Sequence, residues 1–180
     1  DGRWEATDYL DNDGITDTAL PIKVALEITG DRMALDFEGT AAKTDGPVNI
    51  ALPTAVATAY VAIKHIFPDL PANAGVMRPV DVRVPDGSLL AAEFPAPVGG
   101  YTETILRMID VSFSAAAQAA PERVVANAYG TINALSIAGK RANGQPWVMF
   151  SFYGGGHGGS VEGDGLHRGN APISAATVPP

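Results

Sequence analysis

The stretch that decides the fold is IKVALEITGDRMALDF, which runs from Ile22 to Phe37. Apolar and polar residues alternate in it with a period of two on both sides of the pair Gly30-Asp31. A two-residue link that starts with glycine suits a type II′ turn, because glycine adopts positive φ without a steric penalty. The sequence therefore predicts an antiparallel hairpin over residues 20–39.

Two helices are predicted outside this hairpin. Apolar residues at helical spacing indicate a first helix over residues 54–67, which Pro68 ends, and a second helix over residues 101–120. The charged residues of the second helix are Glu103, Arg107 and Asp110.

A second hairpin is predicted over residues 131–153, followed by a glycine-rich loop over residues 154–170. Strands and helices do not alternate strictly along the chain, so a doubly wound fold is disfavoured. The predicted class is α+β, with mixed or antiparallel sheets, hairpins and two main helices. We expect residues 1–180 to form a single fragment of a larger subunit.

Composition excludes several functions. The 180 residues contain 12 Lys plus Arg and 20 Asp plus Glu, which gives a net charge of −8, and no Cys. An acidic chain without basic clusters argues against nucleic-acid binding, and the lack of cysteine excludes disulfides and thiolate metal sites. No apolar run is long enough to span a bilayer. The chain lacks an initial Met and ends on Pro179-Pro180, so we expect an internal piece of a longer protein.

The most conspicuous motif is GGGHGGS at residues 154–160. It satisfies the dinucleotide pattern G-x-G-x-x-G, but further glycines and Pro172 follow where a helix would have to begin. The ATP-binding P-loop pattern also fails, because Gly159 stands where a lysine should precede Ser160. The loop is therefore predicted to approach a substrate or a neighbouring subunit.

An acidic segment near the start invites a calcium-loop interpretation. Its carboxylates are Asp8, Asp11, Asp13 and Asp17. An EF-hand alignment on Gly14 places Tyr9 and Leu20 at the two positions that need carboxylates. We therefore predict a solvated acidic turn before the first strand, with a weak cation site at Asp11 and Asp13 as the alternative.

The histidines give weaker signals. His65 is predicted to be a partly buried residue of the first helix. The side chains of His157, Asp164 and His167 have the chemistry of a facial set of metal ligands, but their spacing lacks the i, i+4 pattern of helical sites. Contact with a substrate or a partner is the other hypothesis for these loop residues.

Short polar and glycine-containing motifs follow one another along the whole chain. In chain order they are Asp11-Asn12-Asp13-Gly14, Leu35 to Thr40, Gly46-Pro47-Val48-Asn49, Pro71 to Gly75, Arg78-Pro79, Val84 to Ser88, Pro95 to Val98, Ala120 to Arg123, Phe152 to Gly159 and Gly163-Asp164-Gly165. No single motif is specific, but the ordered set resembles the hydantoinase B/oxoprolinase family.

The resemblance implies a cytoplasmic, ATP-dependent enzyme complex. An A-type partner would bind ATP with Mg²⁺ and phosphorylate the carbonyl oxygen of the substrate, and the B-type part would complete the reaction. Opening of a cyclic amide such as a hydantoin or 5-oxoproline is the expected reaction. An ATP-dependent ketone carboxylase subunit is the first alternative, and a non-catalytic scaffold or interface region is the second.

The resemblance also suggests site residues. The polar residues expected to line or brace the substrate site are Asp36, Asn49, Asn73 and Arg78. The loop residues expected to bind the substrate are Gly154, Gly155, Gly156, His157 and Asp164. Backbone N–H groups of this loop would approach an anionic intermediate, as in an anion-binding nest. The resemblance assigns no catalytic residue.

Cofactors and partners follow from the same resemblance. The family's His/Asp-rich metal motif would precede Asp1, so a divalent metal is expected outside these residues and none is assigned to them. The expected partners are the A-type subunit or domain, the remainder of the same chain and a small-molecule substrate, with neither nucleic acid nor a membrane. The isolated fragment is expected to be inactive.

Overall fold

The computed structural model describes residues 1–167. The elements in this part of the chain are strands β1 (Gly2–Leu10), β2 (Leu20–Thr29) and β3 (Arg32–Asp36), helix α1 (Leu52–Ile66), strand β4 (Val80–Arg83), helix α2 (Tyr101–Ala117), a 3₁₀ turn (Pro121–Arg123), and strands β5 (Asn133–Lys140) and β6 (Pro146–Tyr153). The predicted α+β class is confirmed. Residues 168–170, the end of the predicted glycine-rich loop, lie outside the described residues.

The strands form two sheets. Strands β1, β2, β3 and β4 lie side by side in that order, with antiparallel pairs except for the parallel pair β3 and β4, whereas β5 and β6 form a separate antiparallel pair. Helix α2 packs on β1 and β2, and α1 packs on α2. No helix within residues 1–167 is long and apolar enough to cross a membrane.

The hydrophobic core lies between the four-stranded sheet and the two helices. Ile22, Val24 and Leu26 of β2 point toward the helices and are buried, while Lys23 between them is exposed. Leu26 pairs with Leu35 of β3, which is also buried. The alternation in the sequence therefore corresponds to one face covered by the helices and an opposite face that carries charged residues, although the small Ala25 and Ala34 on that face are also buried.

The helices begin and end slightly away from their predicted positions. Helix α1 begins at Leu52 rather than at residue 54, because Pro53 is well suited to the first turn of a helix. Helix α2 ends at Ala117 rather than at residue 120. Ala120, with φ −150° and ψ 71°, is no longer helical, because the following Pro121 disfavours a helical backbone.

Strand β1 is an element that the sequence analysis missed. Its core-facing positions alternate with exposed Arg3 and Glu5, as in any half-buried strand. Asp8 occupies one of the core-facing positions, which breaks the apolar pattern that would have predicted a strand. Asp8 is compensated there by Arg107 of α2, whose Nη1 lies 2.6 Å from Asp8 Oδ2.

His65 is exposed, so the prediction that it is partly buried is wrong. Its Nδ1 lies 2.8 Å from Val61 O, one helical turn earlier, and its ring tilts against Phe113 at 5.8 Å. The buried face of α1 is formed instead by small and aliphatic residues, which include Ala59 and Ile63.

The acidic turn is not solvated at Asp13, which corrects a second prediction. Asp13 is only 3% exposed. Its Oδ1 accepts hydrogen bonds from the N–H groups of Ile15 and Thr16 at 2.9 and 2.7 Å, and its Oδ2 accepts one from Gly46 N at 3.3 Å. These bonds, with the Thr16 amide first, lower the pKa of Asp13 to about 2. The carboxylate therefore ties this turn to the loop around residue 46.

Replacing Asp13 with asparagine should lower the melting temperature by roughly 5 °C at neutral pH, because Asn retains one acceptor and loses the charge. The folded-state pKa is below the unfolded value, so this stabilisation is present above about pH 4 and is lost as the pH falls through about 2. Thermal unfolding at pH 7 and pH 2 measures the effect. Asp11→Asn, an exposed neighbour, is the control and should change little.

Candidate functional site

The glycine-rich loop lies alongside a segment that we call the strap, residues 124–132, which follows the 3₁₀ turn after α2. Three backbone hydrogen bonds join the two: Ala126 N to Gly159 O at 2.8 Å, Gly158 N to Asn127 O at 3.2 Å and Tyr129 N to Gly156 O at 2.9 Å. The loop is thus held against the strap by its backbone.

The glycines of the loop permit this close approach. A Cβ atom on Gly158 would lie 2.4 Å from Ala126 Cβ and 2.9 Å from the Ala126 backbone, and one on Gly155 would lie 1.9 Å from Tyr129 Cγ. By contrast, a Cβ on Gly163 would meet nothing within 4 Å. Loop and strap can therefore approach this closely only because residues 155 and 158 have no side chain.

Several N–H groups of the loop are already engaged. Those of His157 and Ser160 donate to Leu166 O at 3.0 Å and Gly163 O at 2.8 Å, and Gly158 N donates to the strap. Gly155, Gly158, Gly159, Gly163 and Gly165 do not have φ in the left-handed region, which an αR–αL nest requires. An anion at this loop would therefore meet the amides of Gly155, Gly156 and Gly159, which donate to no group within residues 1–167.

A buried charge cluster fastens the strap to α2. Asp110 is 1% exposed, and its Oδ1 accepts a hydrogen bond from Ala128 N at 3.1 Å. Its Oδ2 lies 3.5 Å from Nη1 of Arg107, which also contacts Asp8. Gly130, with φ 78°, passes so close to Arg107 that a Cβ would lie 2.0 Å from Nη2. Strand β1, helix α2 and the strap therefore meet at one guanidinium.

Burial raises the pKa of Asp110 to about 6. The Ala128 amide and the Arg107 charge oppose this shift, and the Asp8 charge adds to it. A carboxyl group removed from water is costly to ionise, and its two partners compensate for only part of that cost.

The ionised Asp110 should destabilise the fold at neutral pH. The pKa of Asp110 is higher in the folded state than in the unfolded state. The stabilisation that the protonated carboxyl group provides is therefore complete below about pH 4 and is lost as the pH rises through 6, which changes the free energy of unfolding by about 3 kcal/mol. Urea unfolding from pH 4 to pH 7 should show this decline in the wild type, relative to Asp110→Asn. Asp17→Asn, an exposed control, should follow the wild type; a wild-type profile parallel to that of Asp110→Asn would contradict the assignment.

A cavity of about 580 Å³ opens where α2, the strap and the loop meet. The residues that line it are Phe113, Ser114, Ala117, Pro121, Val124, Val125, Ala126, Asn127, Gly159, Ser160 and Val161. None of these side chains is charged. Ser114 Oγ donates to Asn127 Oδ1 at 3.1 Å, which leaves the Asn127 Nδ2 group without an acceptor within residues 1–167. This volume is typical of a small-molecule pocket with few polar groups.

Two of the expected site residues lie away from this cavity. Asp36 pairs with Ala25 in the sheet and is turned to the face opposite the helices, where its Oδ2 lies 3.6 Å from Arg83 Nη1. Asn49 is fully buried, and all its bonds go to backbone groups. Those bonds are to Thr44 N, Thr44 O, Gly46 O and Pro97 O, at 2.9 to 3.0 Å.

Asn73 and Arg78 both belong to the turns between α1 and β4. Asn73 is exposed, and its Oδ1 accepts a hydrogen bond from Gly75 N at 2.9 Å. It also lines a separate cavity of about 400 Å³ with Lys64 and Met77. Arg78 is exposed, and its guanidinium has no ion-pair partner within residues 1–167. Neither residue lines the cavity at the strap.

His157 and Asp164 both belong to the glycine-rich loop, with His157 half-buried and Asp164 exposed. The chain doubles back at this point, since Gly156 bridges to His167 and His157 N donates to Leu166 O. No group of three His, Asp or Glu side chains within residues 1–167 is arranged to hold a metal ion.

Comparison with known proteins decides the family. The sequence profile of hydantoinase B/oxoprolinase proteins matches residues 1–180. The chain belongs to the hydantoinase B/oxoprolinase family. This membership confirms the resemblance identified from the ordered motifs.

Two curated proteins with similar sequences illustrate the relationship. An uncharacterized protein of Methanocaldococcus jannaschii is 34% identical over 156 residues, which cover 86% of this chain and 26% of that protein. A putative B-type subunit of a D-/L-hydantoinase from a Pseudomonas strain is 30% identical over 166 residues, which cover 88% of this chain and 28% of that subunit. The chain thus spans about a quarter of the length of these relatives.

Two solved structures share the fold. The ATP-dependent caprolactamase of Pseudomonas jessenii superposes with a TM-score of 0.78 and 25% identity over 96% of this chain and 31% of the caprolactamase chain. A nucleotide-free acetone carboxylase superposes with a TM-score of 0.77 and 16% identity over 94% of this chain and 25% of the carboxylase chain. The second likeness shows the fold alone.

Sequence reasoning missed the strap and its buried attachment in this hydantoinase B/oxoprolinase chain. Arg107 and Asp110 were predicted only as charged residues of a helix. One signal was available, since the two stand at i, i+3 with Asp110 between the apolar residues Ile109 and Val111, a position where an unpaired carboxylate would be costly. Their partners, Asp8 and Ala128, are too distant in sequence for any local pattern to predict.

Proposed function

We propose that the chain is part of the B-type subunit of an ATP-dependent enzyme that opens cyclic amides. The observation that carries this proposal is the 25% identity, over 96% of the chain, with a structure described as an ATP-dependent caprolactamase. Sequence similarity to the Pseudomonas hydantoinase subunit supports the same type of substrate, since a hydantoin is also a cyclic amide.

The proposed reaction divides between two proteins. An A-type partner binds ATP with Mg²⁺ and transfers the γ-phosphoryl group to the carbonyl oxygen of the amide. One water then opens the ring at the carbon–nitrogen bond, with a proton passing to nitrogen, and a second water releases phosphate from the new carboxyl group. The products are a ring-opened carboxylic acid (an amino acid from caprolactam, an N-carbamoyl amino acid from a hydantoin), ADP and phosphate. The mismatch of residues 154–160 with a P-loop supports placing ATP on the partner.

The cavity at the strap is our proposed binding place for the ring. Its uncharged, largely apolar lining suits the methylene groups of a neutral ring. The Asn127 Nδ2 group offers donors to the amide oxygen or to a phosphate attached to it. The amide of Gly159, which lines the cavity, is the further donor proposed for an anionic intermediate, whereas Gly155 and Gly156 are not part of that lining.

Two of the other expected site residues take different proposed roles. Asn49 braces the loops around it, because its amide is fully used within the protein. Arg78 is exposed and has the chemistry to bind a phosphate group that the A-type partner presents. Arg78→Ala in the complete complex should therefore weaken activity while the unfolding temperature stays unchanged.

A reconstituted complex tests the proposal. The complete B-type subunit and its A-type partner are incubated with ATP, Mg²⁺ and caprolactam or a hydantoin, and the ring-opened product is measured by mass spectrometry. Product should form only when both proteins and ATP are present. A bulky replacement in the cavity, Val125→Trp, should reduce product at least about tenfold, whereas Val161→Ala at its rim should not. Product without the B-type subunit would refute the proposal.

A further inference from the structure

The hairpin β5–β6 exposes apolar side chains on both of its faces. One face carries Val148, Phe150 and Phe152, which are 69%, 58% and 50% exposed. The side chains of the other face are Leu135, Ile137, Trp147 and Met149, which are also substantially exposed. Ordinary antiparallel sheets in water bury one apolar face and leave a polar one outside.

The hairpin also lacks neighbours in its own plane. Strands β5 and β6 pair only with each other, so each has one unpaired edge within residues 1–167. An isolated two-stranded hairpin is marginally stable in water, and an apolar strand edge invites pairing with another strand. Neither strand has a protective charge in its interior, since Lys140 and Arg141, at the turn, are the only charged residues from 131 to 153.

The exposed faces and edges of the hairpin indicate that it is covered permanently and not by a partner that dissociates. Interfaces that form and dissociate keep about as much polar surface as the rest of the protein, whereas permanent ones are depleted of charge. A partner that left would expose two apolar faces and two strand edges to water at once. Relatives of this chain are between three and four times as long, so members of the family carry further polypeptide to cover such a surface.

We propose that the hairpin β5–β6 is an interior element of the complete B-type subunit, covered on both faces by other residues of the same polypeptide. This inference depends on the proposed function only in that the chain is part of a longer B-type subunit. A second copy of the chain and the A-type partner are the competing occupants.

Cysteine labelling tests the inference, because these 180 residues contain no cysteine. Val148→Cys and Ile137→Cys place one thiol on each face, and Asn143→Cys places a control thiol in the turn between the strands. The complete subunit is labelled with a maleimide, without the A-type partner and at a dilution where light scattering shows a monomer. Labelling of the unsubstituted subunit is subtracted.

The two face thiols should react at least about 100-fold more slowly than the turn thiol, and all three should react equally in urea. Equal rates in the native subunit would overturn the proposal, and so would protection that appears only in a dimer or only with the A-type partner. Hydrogen exchange of residues 133–153 in the unsubstituted subunit gives the same answer if a variant fails to fold. Neither readout needs ATP or substrate, so a protected hairpin in a subunit without cyclic-amide activity would refute the proposed function alone.

Discussion

Replacing Asn49 with alanine should lower the free energy of unfolding by about 4 kcal/mol, since several buried backbone groups would lose their partner at once. Asn49 is fully buried, and its carboxamide bonds to Thr44, Gly46 and Pro97. It therefore joins the loop before α1 to the segment before α2. Urea unfolding monitored by circular dichroism measures the change.

A second variant and a matched control make this prediction specific. Asn49→Asp keeps the size of the side chain but replaces two donors with an acceptor that faces three carbonyl oxygens, so it should destabilise comparably. Asn73→Ala removes an exposed side chain with one hydrogen bond and should cost less than about 1 kcal/mol. A stable Asn49→Ala protein that has lost activity would show that Asn49 serves the substrate and not the fold.

Replacing Gly158 with alanine should lower the activity of the complete complex by about 10- to 100-fold. The new methyl group would lie 2.4 Å from Ala126 Cβ and 2.9 Å from the Ala126 backbone, so the loop would have to move away from the strap. A displacement of about 1 Å at a reacting site is enough to cost a factor of this size. ADP release in the presence of a cyclic amide is the measurement.

Gly163→Ala is the matched control for this effect. It lies in the same loop, and its added methyl group meets nothing within 4 Å, so activity should stay within about twofold of the wild type. Full activity of Gly158→Ala would mean that the contact between loop and strap is unimportant for the reaction. Equal damage from both variants would mean that glycine is needed for flexibility and not for close approach.

Local patterns were enough to predict the hairpin of β2 and β3 and the two helices. The period-two alternation from Ile22 to Phe37 depends only on which sheet face is covered, and Gly30 adopts the positive φ that its turn needs. The observed helix ends differ from the predicted ones by at most three residues. Pro53 suits the first turn of α1, which starts earlier, and Pro121 disfavours a helical backbone before it, so α2 ends earlier. Patterns of this kind are properties of neighbouring residues.

Long-range pairings could not be predicted in the same way. Asp8 is an acceptable core-facing residue of β1 only because Arg107, 99 residues later, meets it. Asp13 can be buried because its Oδ2 accepts a hydrogen bond from Gly46 N, 33 residues later. The glycine-rich loop was predicted as a functional feature, but its contact with the strap depends on where α2 ends and on the shape of the chain after it. Asp36, which the resemblance led us to expect as a lining or bracing residue of the substrate site, lies on the sheet face opposite the helices, beside Arg83.

The opening of a cyclic amide is the central claim, and ADP release by the complete B-type subunit with its A-type partner tests it most directly. The substrates compared are caprolactam, a hydantoin, 5-oxoproline and acetone, each with and without bicarbonate. We expect a cyclic amide to stimulate ADP release without bicarbonate, in step with a ring-opened product. Stimulation by the ketone alone, only with bicarbonate and with product carbon drawn from it, would contradict the account and make the enzyme a carboxylase.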